Sequence, residues 1–183
     1  LGANNGDSVG GFVGMGQSHG IVSDGDGVDI EGLGSKGIWD IWVFEPNPRF
    51  TSRLKQIAAK IRSMGHTVHL MTESVAYVRD GQETFFLDVV NKALGSSLYK
   101  NHRDVVASNF KNVTVRSVDI ARVLRTYYTP QDNVVIKVDI EGAEYELIAH
   151  LMKTGTLSLV DTLGVEFHDF LQPEEGIIPG IEY

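Results

Sequence analysis

Two carboxylates, Asp139 and Glu141, stand between an apolar run and a helical pattern. The apolar run, residues 134–136, is typical of a parallel strand buried on both faces. After Gly142, apolar residues recur at helical spacing until Gly155. In an open α/β sheet, ligands bind beyond the carboxyl ends of the strands. We therefore expect both carboxylates on the floor of a ligand site, where they could accept a proton or bind a divalent cation.

A second pair, Glu166 and His168, closes the next predicted strand, residues 163–167. Alternate residues of a strand share a face, so we expect these side chains to lie together, with Asp139 at the end of the neighbouring strand. The three could hold Mg²⁺ or Mn²⁺ with open positions for substrate oxygens. Alternatively, His168 is a base oriented by a carboxylate. Both versions stay open, and the donor set favours the metal.

Simpler interpretations exist for the same residues. Asp139 could cap a helix that begins at Glu141, and His168 could be a surface histidine. Glu144 lies in the first predicted helical turn, where an acid suits the helix dipole, so we interpret it as structural. The remaining histidines lack partners at suggestive spacing and are interpreted as structural or solvated: His19, His66, His69, His102 and His150.

Three blocks of the sequence resemble, in order, motifs of one enzyme family. They read LGANNGDS at residues 1–8, VFEPNP at residues 43–48 and KVDIEGAE at residues 137–144. These are similar to the GAN-x-G, FEP-N-P and K-x-D-x-EGAE blocks of the FkbM-type family of S-adenosylmethionine-dependent O-methyltransferases. Residues 96–98 and 117–119 also match shorter family segments. The resemblance spans about residues 1 to 168, apart from 9–38.

The resemblance implies a Rossmann-like, doubly wound α/β sheet of the class I methyltransferase type. Alternating strand and helix patterns independently predict a doubly wound parallel sheet. The resemblance also implies S-adenosylmethionine as cofactor and a hydroxyl acceptor, for which we favour a sugar of a glycan or glycosylated metabolite. Asp139, Glu141 and His168 are then the expected catalytic residues, beside the cofactor's methyl. The alternative is a nucleotide-cofactor-binding module without methyltransferase activity, such as an NAD-dependent oxidoreductase or a silent partner subunit.

The expected cofactor site begins at a glycine turn. Gly2 and Gly6 lack a Cβ and would let the cofactor approach the backbone, while Asn4 and Asp7 could contact its amino-acid end. A tight turn with capping polar groups is the simpler interpretation. Glu45 ends a predicted strand, where a carboxylate commonly accepts hydrogen bonds from ribose hydroxyls, in dinucleotide-binding proteins as well. The residues expected near the adenine are Glu73, Ser74 and Ala76.

Composition limits the class of protein. A chain of 183 residues fits a single domain, 1–183, and its net charge of -8 argues against nucleic-acid binding. The absence of cysteine excludes disulfides and a thiol nucleophile. No apolar run approaches the ~20 residues that cross a bilayer, and no signal-peptide pattern is present, so we expect a cytoplasmic protein. The expected partner is a small-molecule or glycan acceptor with a free hydroxyl; the sequence does not predict an oligomeric state.

The pattern along the chain predicts the order of the elements. Residues 9–37, rich in glycine and acidic residues, read as an insertion loop. Leu1 falls where a first strand should end, and the two usual final strands have no counterpart, so we expect an incomplete fold. The other predicted elements are strands 38–44, 67–71 and 113–115, a helix capped by Asn47 with Pro48 first, a hairpin of strands 75–78 and 83–89 around Asp80-Gly81, and a helix 119–127 with Tyr127 inward.

Overall fold

A computed structural model describes residues 1–15 and 37–168. The chain divides into two compact units, Leu1–Val75 and Ala76–Tyr183, called here the first and second units. The expectation of a single methyltransferase domain over residues 1–183 stays a prediction.

The first unit is built on a strand–helix–strand arrangement. Strands β1 (Asp40–Glu45) and β2 (Thr67–Thr72) pair in parallel, and helix α2 (Thr51–Ser63) connects them. Helix α2 buries an apolar stripe against the strands because its apolar residues recur every three to four positions. The buried core of this unit consists of Val13, Ile41, Val43, Leu54, Ile57, Ala58, Ile61 and Val68.

The turn into α2 confirms the predicted cap. Asn47 Oδ1 accepts a hydrogen bond from Arg49 N at 3.0 Å, and Pro48 opens a short 3₁₀ turn, Pro48–Phe50, that leads into the helix. Proline suits this first position because its missing N–H would have no intrahelical partner. This cap fixes the start of the helical segment only two residues after Glu45, the last residue of β1.

The predicted insertion loop begins later than expected. Residues 9–12 belong to helix α1 (Asp7–Phe12), and Val13 is buried in the core of the first unit. The expectation of a loop from residue 9 is therefore wrong at its start, because Val9, Phe12 and Val13 find apolar partners there. Residues 16–36 of this segment lie outside the described residues.

The second unit contains antiparallel and parallel strand pairs. A three-stranded sheet has the order β3-β5-β4, with the division between the units falling inside β3, and β6 pairs in parallel with β7. The elements are β3 (Ser74–Tyr77), β4 (Gly81–Phe86), α3 (Arg103–Ala107), β5 (Asn112–Asp119), α4 (Ile120–Tyr127), β6 (Val135–Val138), α5 (Glu144–Lys153) and β7 (Thr162–Val165).

The predicted hairpin around Asp80-Gly81 is wrong, because β5 lies between β3 and β4. Strand β4 pairs antiparallel with β5. The carboxylate of Asp80 accepts a hydrogen bond from Asp119 N at 3.2 Å and binds the Arg122 guanidinium with both oxygens, at 2.6 and 2.8 Å. These contacts tie Asp80 to the end of β5, so the local turn signal does not join β3 to β4.

Two further expectations in the second unit are corrected. Tyr127 is 53% exposed, because α4 buries Ile120, Val123 and Leu124 and ends at the tyrosine. The last strand, β7, ends at Val165 rather than Phe167.

The described residues form a mixed α/β protein of small sheets and helices. Within residues 1–15 and 37–168, no helix combines the length and apolar character that crossing a membrane requires.

Candidate functional site

The carboxyl ends of β6 and β7 bring acidic and imidazole side chains together. Asp139 directly follows β6, and His168 lies three residues beyond β7. Asp139, Glu141 and His168 each offer a ligand atom, and these atoms lie within 4.8 Å of one another. With Glu144, which contacts His168, they form what we call the acid–histidine cluster.

A strained turn delivers Glu141 to this cluster. Its φ of 53° is in the left-handed region that non-glycine residues rarely adopt, and Gly142 follows with φ of 105°. Such backbone persists only where surrounding contacts hold it. The carbonyl of Glu141 accepts a hydrogen bond from Ser97 Oγ at 2.6 Å. The turn delays the start of α5 to Glu144, so Glu141 precedes the helix instead of lying in its first turn.

Glu144 braces the same turn from inside the protein. Its side chain has 0% exposure. Oε1 accepts a hydrogen bond from Ile140 N at 2.8 Å, and Oε2 accepts one from Gly142 N at 2.9 Å. Oε1 also lies 3.1 Å from Nδ1 of His168. A buried carboxylate with several donors is well satisfied, so Glu144 links the turn to the imidazole.

The contact with Glu144 defines how His168 is presented. A carboxylate only accepts hydrogen bonds, so Nδ1 of His168 carries the proton toward Glu144. Nε2 then faces Oε2 of Glu141, 3.5 Å away. A neutral imidazole held in this way offers Nε2 to a proton or a metal ion.

The electrostatics of the cluster favour bound positive charge. Burial raises the pKa of Glu141 to about 7; Asp139, Glu144 and Glu166 add to this rise, and His168 opposes it. Burial alone would lower the pKa of His168, but its hydrogen bond to Glu144 and the charges of Glu141, Glu144 and Asp139 outweigh burial and raise it to about 9. The cluster is therefore a region of excess negative charge that retains protons near neutral pH.

Asp139 is paired with a neighbouring cation. Its Oδ2 lies 2.9 Å from Nζ of Lys137, two residues earlier. This contact accounts for a lysine in an otherwise apolar strand. Asp139 does not cap α5, because Ala143 occupies the N-cap position of that helix.

In the first unit, Glu45 joins the glycine turn to the end of β1. The residue is 5% exposed. Its Oε2 accepts a hydrogen bond from Asn4 N at 2.6 Å, and its Oε1 accepts one from Asn47 N at 2.8 Å. One backbone N–H donor on each oxygen therefore fixes the orientation of this carboxylate.

The glycine turn itself contains left-handed residues: φ is 76° at Gly2, 48° at Asn4 and 89° at Gly6. The φ of Gly6 strains any residue with a side chain, and a Cβ there would also lie 2.5 Å from Cδ1 of Ile57, so the local fold itself favours glycine. The expectation attributed this glycine to close approach of a cofactor. Asp7 is the first residue of α1, and its carboxylate accepts a hydrogen bond from Nδ2 of Asn5 at 2.8 Å.

The residues expected near an adenine differ in exposure. Glu73 is exposed and has a φ of 54° in the turn after β2. Ser74 is buried, and its hydroxyl donates to the Thr72 carbonyl at 3.1 Å. Ala76, the first residue of the second unit, is also buried.

Comparison with protein families gives one match that covers most of the chain. The model of the methyltransferase FkbM domain matches residues 26–179. The chain belongs to the FkbM methyltransferase family. Comparison with curated proteins and with solved structures gave no match.

In this FkbM-family methyltransferase, the residues that come together differ in one member from the expected set. Asp139 and His168 meet Glu141, whereas Glu166 is exposed and does not join their ligand atoms. The expectation that Glu166 and His168 share a strand face is wrong, because β7 ends at Val165 and the two-residue period ends with it.

Two buried residues of the FkbM-family site were not recognised in the sequence. Glu144 was attributed to the helix dipole, although an acid at the start of a helix that reaches back to earlier N–H groups is a known local pattern. His102 lies 3.3 Å from Oε2 of Glu141 through its Nε2 and has no local signal, since the two are far apart in sequence. Three other histidines have the expected structural contacts, His66 with Trp39 N, His69 with Asp40 and His150 with Asp119, and His19 lies outside the described residues.

Proposed function

We propose that the protein is an S-adenosylmethionine-dependent O-methyltransferase of the class I, Rossmann-like doubly wound type. The proposed acceptor is a sugar hydroxyl of a glycan or glycosylated metabolite. Family membership supports methyl transfer over the oxidoreductase alternative. The observation that carries the hydroxyl assignment is the acid–histidine cluster, because a hydroxyl is a poor nucleophile until a base or a metal ion activates it.

We assign the cofactor to the residues that the sequence predicted for it, from the glycine turn to the segment after β2. S-adenosylmethionine supplies the methyl group on a sulfonium. Glu45 fits its ribose, because two backbone N–H donors fix its carboxylate at the end of β1, where a carboxylate commonly accepts hydrogen bonds from ribose hydroxyls. Gly2, Asn4 and Asp7 are assigned to the amino-acid end, and Glu73, Ser74 and Ala76 to the adenine.

We assign activation of the acceptor hydroxyl to the cluster. Asp139, Glu141 and His168 fit Mg²⁺ or Mn²⁺, since two carboxylates and an imidazole suit a hard divalent cation and their ligand atoms lie within 4.8 Å. Such an ion would supply Lewis-acid polarisation of the hydroxyl oxygen. Without it, the chain offers Nε2 of His168 as proton acceptor, with Glu144 holding Nδ1–H.

In the metal-free version, the charges of the cluster keep His168 protonated at neutral pH. An imidazole with a pKa of about 9 is mostly protonated at neutral pH and cannot accept the hydroxyl proton until it loses its own. The carboxylates of Asp139 and Glu141 beside it attract a divalent cation as well as that proton. We therefore favour the metal version, as the sequence also did, with Glu141 in place of Glu166.

The proposed function is tested by direct methyl transfer. The protein is incubated with S-adenosylmethionine carrying a ¹³C-methyl group and a panel of glycans and glycosylated metabolites, with Mn²⁺ or with EDTA. We expect S-adenosylhomocysteine and a methyl ether on a sugar by mass spectrometry. The double variant Asp139→Ala/His168→Ala should abolish turnover while the protein still binds S-adenosylhomocysteine in calorimetry. Cofactor binding without transfer to any acceptor would indicate a silent partner subunit instead.

A further inference from the structure

We propose that His102 is a positioning residue for Glu141: its Nε2 faces one carboxylate oxygen of Glu141 and so leaves the other oxygen for a ligand. This inference rests on the proposed function, in which Glu141 binds the metal ion or substrate. It concerns a residue that does not itself reach the reacting atoms.

The hydrogen bonds of His102 determine which of its nitrogens carries the proton. His102 is the N-cap residue of α3 and is 2% exposed. Its Nδ1 accepts a hydrogen bond from Asp104 N at 3.1 Å, so Nδ1 has no proton. A neutral imidazole then carries its proton on Nε2, which lies 3.3 Å from Oε2 of Glu141. The Nε2–H of His102 thus faces that carboxylate at ion-pair distance.

Ser97 holds the same residue at a second point. It is 0% exposed, and its hydroxyl donates to the Glu141 carbonyl at 2.6 Å. Ser97 is itself fixed to β4, because its backbone exchanges two hydrogen bonds with Phe86, at 2.8 and 2.9 Å. We call residues 97–102 the clamp. It contacts Glu141 once at the backbone and once at the side chain.

A neighbouring glycine allows the clamp to close. A Cβ at Gly95 would collide with Cε1 of His102 and with Oδ2 of Asp104. Only a residue without a side chain fits there, so the chain before the clamp passes directly against the imidazole. This packing leaves His102 little freedom to rotate away from Glu141.

Backbone strain and neighbouring negative charge both act against the position that Glu141 holds. Its backbone is strained, and its carboxylate lies among the like charges of Asp139 and Glu144. Among the described side chains, His102 and His168 both approach Oε2, and none binds Oε1. As far as these side chains are concerned, Oε1 is therefore the oxygen left for a ligand. Groups that orient a ligating carboxylate in this way tune the site without entering it.

A matched pair of variants separates this role from the role of His102 as a helix cap. In His102→Asn, Oδ1 can still accept from Asp104 N, since asparagine is a preferred N-cap residue, but nothing reaches Glu141. In His102→Gln, the longer amide can again donate to Glu141. We expect His102→Asn to lower kcat at least about tenfold with an unchanged KM for S-adenosylmethionine, and His102→Gln to recover much of the loss.

Thermal unfolding shows whether the variants stay folded, and a kcat of His102→Asn equal to that of the wild type would overturn the proposal. The contact is also tested without activity, by long-range ¹H–¹⁵N correlation spectra of the wild type and of Glu141→Ala. We expect His102 as the neutral Nε2–H tautomer, with its Nε2–H resonance shifted in Glu141→Ala. If the wild type transfers no methyl group, the proposed function fails and these spectra decide the positioning role. An Nδ1–H tautomer, or a resonance indifferent to Glu141→Ala, would then overturn it.

Discussion

Oε1 of Glu144 lies 3.1 Å from Nδ1 of His168, and the same oxygen accepts a hydrogen bond from Ile140 N at 2.8 Å. The carboxylate of Glu144 is fully buried, and the backbone N–H groups of Ile140 and Gly142 hold it in addition to the imidazole. The result is a carboxylate–imidazole pair in which the histidine is oriented from behind and its Nε2 points to Glu141.

Replacement of Glu144 by glutamine should weaken this orientation. The variant keeps the shape of the side chain but loses its charge, so we expect kcat to fall roughly 10- to 100-fold. We also expect the pKa of His168 to fall from about 9, since the hydrogen bond and charge of Glu144 both raise it. An NMR titration of the metal-free protein measures this pKa. The matched control is Glu146→Gln, because the Glu146 carboxylate instead accepts from the Tyr77 hydroxyl at 2.5 Å; a Glu144→Gln protein with the wild-type pKa would contradict the prediction.

The metal-free protein should lose stability as the pH rises. The folded-state pKa values of Glu141 and His168 are raised, from 4.5 to about 7 and from 6.5 to about 9. A raised folded-state pKa stabilises the fold below the unfolded-state pKa, and this contribution is lost as the pH passes through the folded-state value. We therefore expect the free energy of unfolding in urea to decline toward pH 9. We expect a smaller decline in Glu144→Gln. A free energy of unfolding that rises between pH 4.5 and 9 would refute the raised pKa values of Glu141 and His168.

A divalent ion should bind through Glu141 and not through Glu166. We expect Mn²⁺ affinity in calorimetry to fall about tenfold or more in Asp139→Asn and in Glu141→Gln, since each removes a negatively charged ligand. Glu166→Gln is the control, because Glu166 is exposed and outside the group of converging ligand atoms. EDTA should abolish methyl transfer and Mn²⁺ should restore it. If Glu166→Gln binds Mn²⁺ as tightly as the wild type and Glu141→Gln binds it more weakly, the third ligand is Glu141, as in the structure. The reverse result would favour Glu166, the ligand expected from the sequence.

Loss of the Glu45 charge should weaken cofactor binding. Hydrogen bonds to a charged group contribute roughly 1.5–3 kcal/mol each, so we expect Glu45→Gln to raise the Kd for S-adenosylhomocysteine at least about tenfold. Asp40→Asn removes a carboxylate from the other end of β1 and should leave the Kd unchanged. Circular dichroism must show both variants folded, because Glu45 also accepts from Asn4 N and Asn47 N. An unaltered Kd in Glu45→Gln would remove Glu45 from the site.

The sequence predicted the elements whose signals are local. Apolar periodicity located α2 and α5, and the apolar run before Asp139 located β6. The cap at Asn47 was readable because its partner is two residues away. Glu45 and Asp139 could be placed at strand ends because the strand signals lie directly before them in the sequence.

The parts that the sequence did not predict depend on partners distant in the chain. The Asp-Gly pair at residues 80–81 predicted a hairpin, but Asp80 instead forms an ion pair with Arg122. The start of α5 moved because a left-handed residue at Glu141 is held by Ser97. Once that turn was misplaced, the burial of Glu144 and its contact with His168 could not be derived. His102 needed the fold itself to bring it to Glu141.

The position of β5 between β3 and β4 also constrains how the chain folds. The innermost pair of the β4–β5 ladder joins Phe86 and Asn112, so the ladder can form only after residues 87–111 have closed into a loop. Closing such a loop costs chain entropy before any ladder contact compensates for it, which makes the step slower than formation of a local hairpin. Ser97 and His102 lie within this loop. We therefore expect Glu141 to acquire the support of Ser97 and His102 only after β4 has paired with β5.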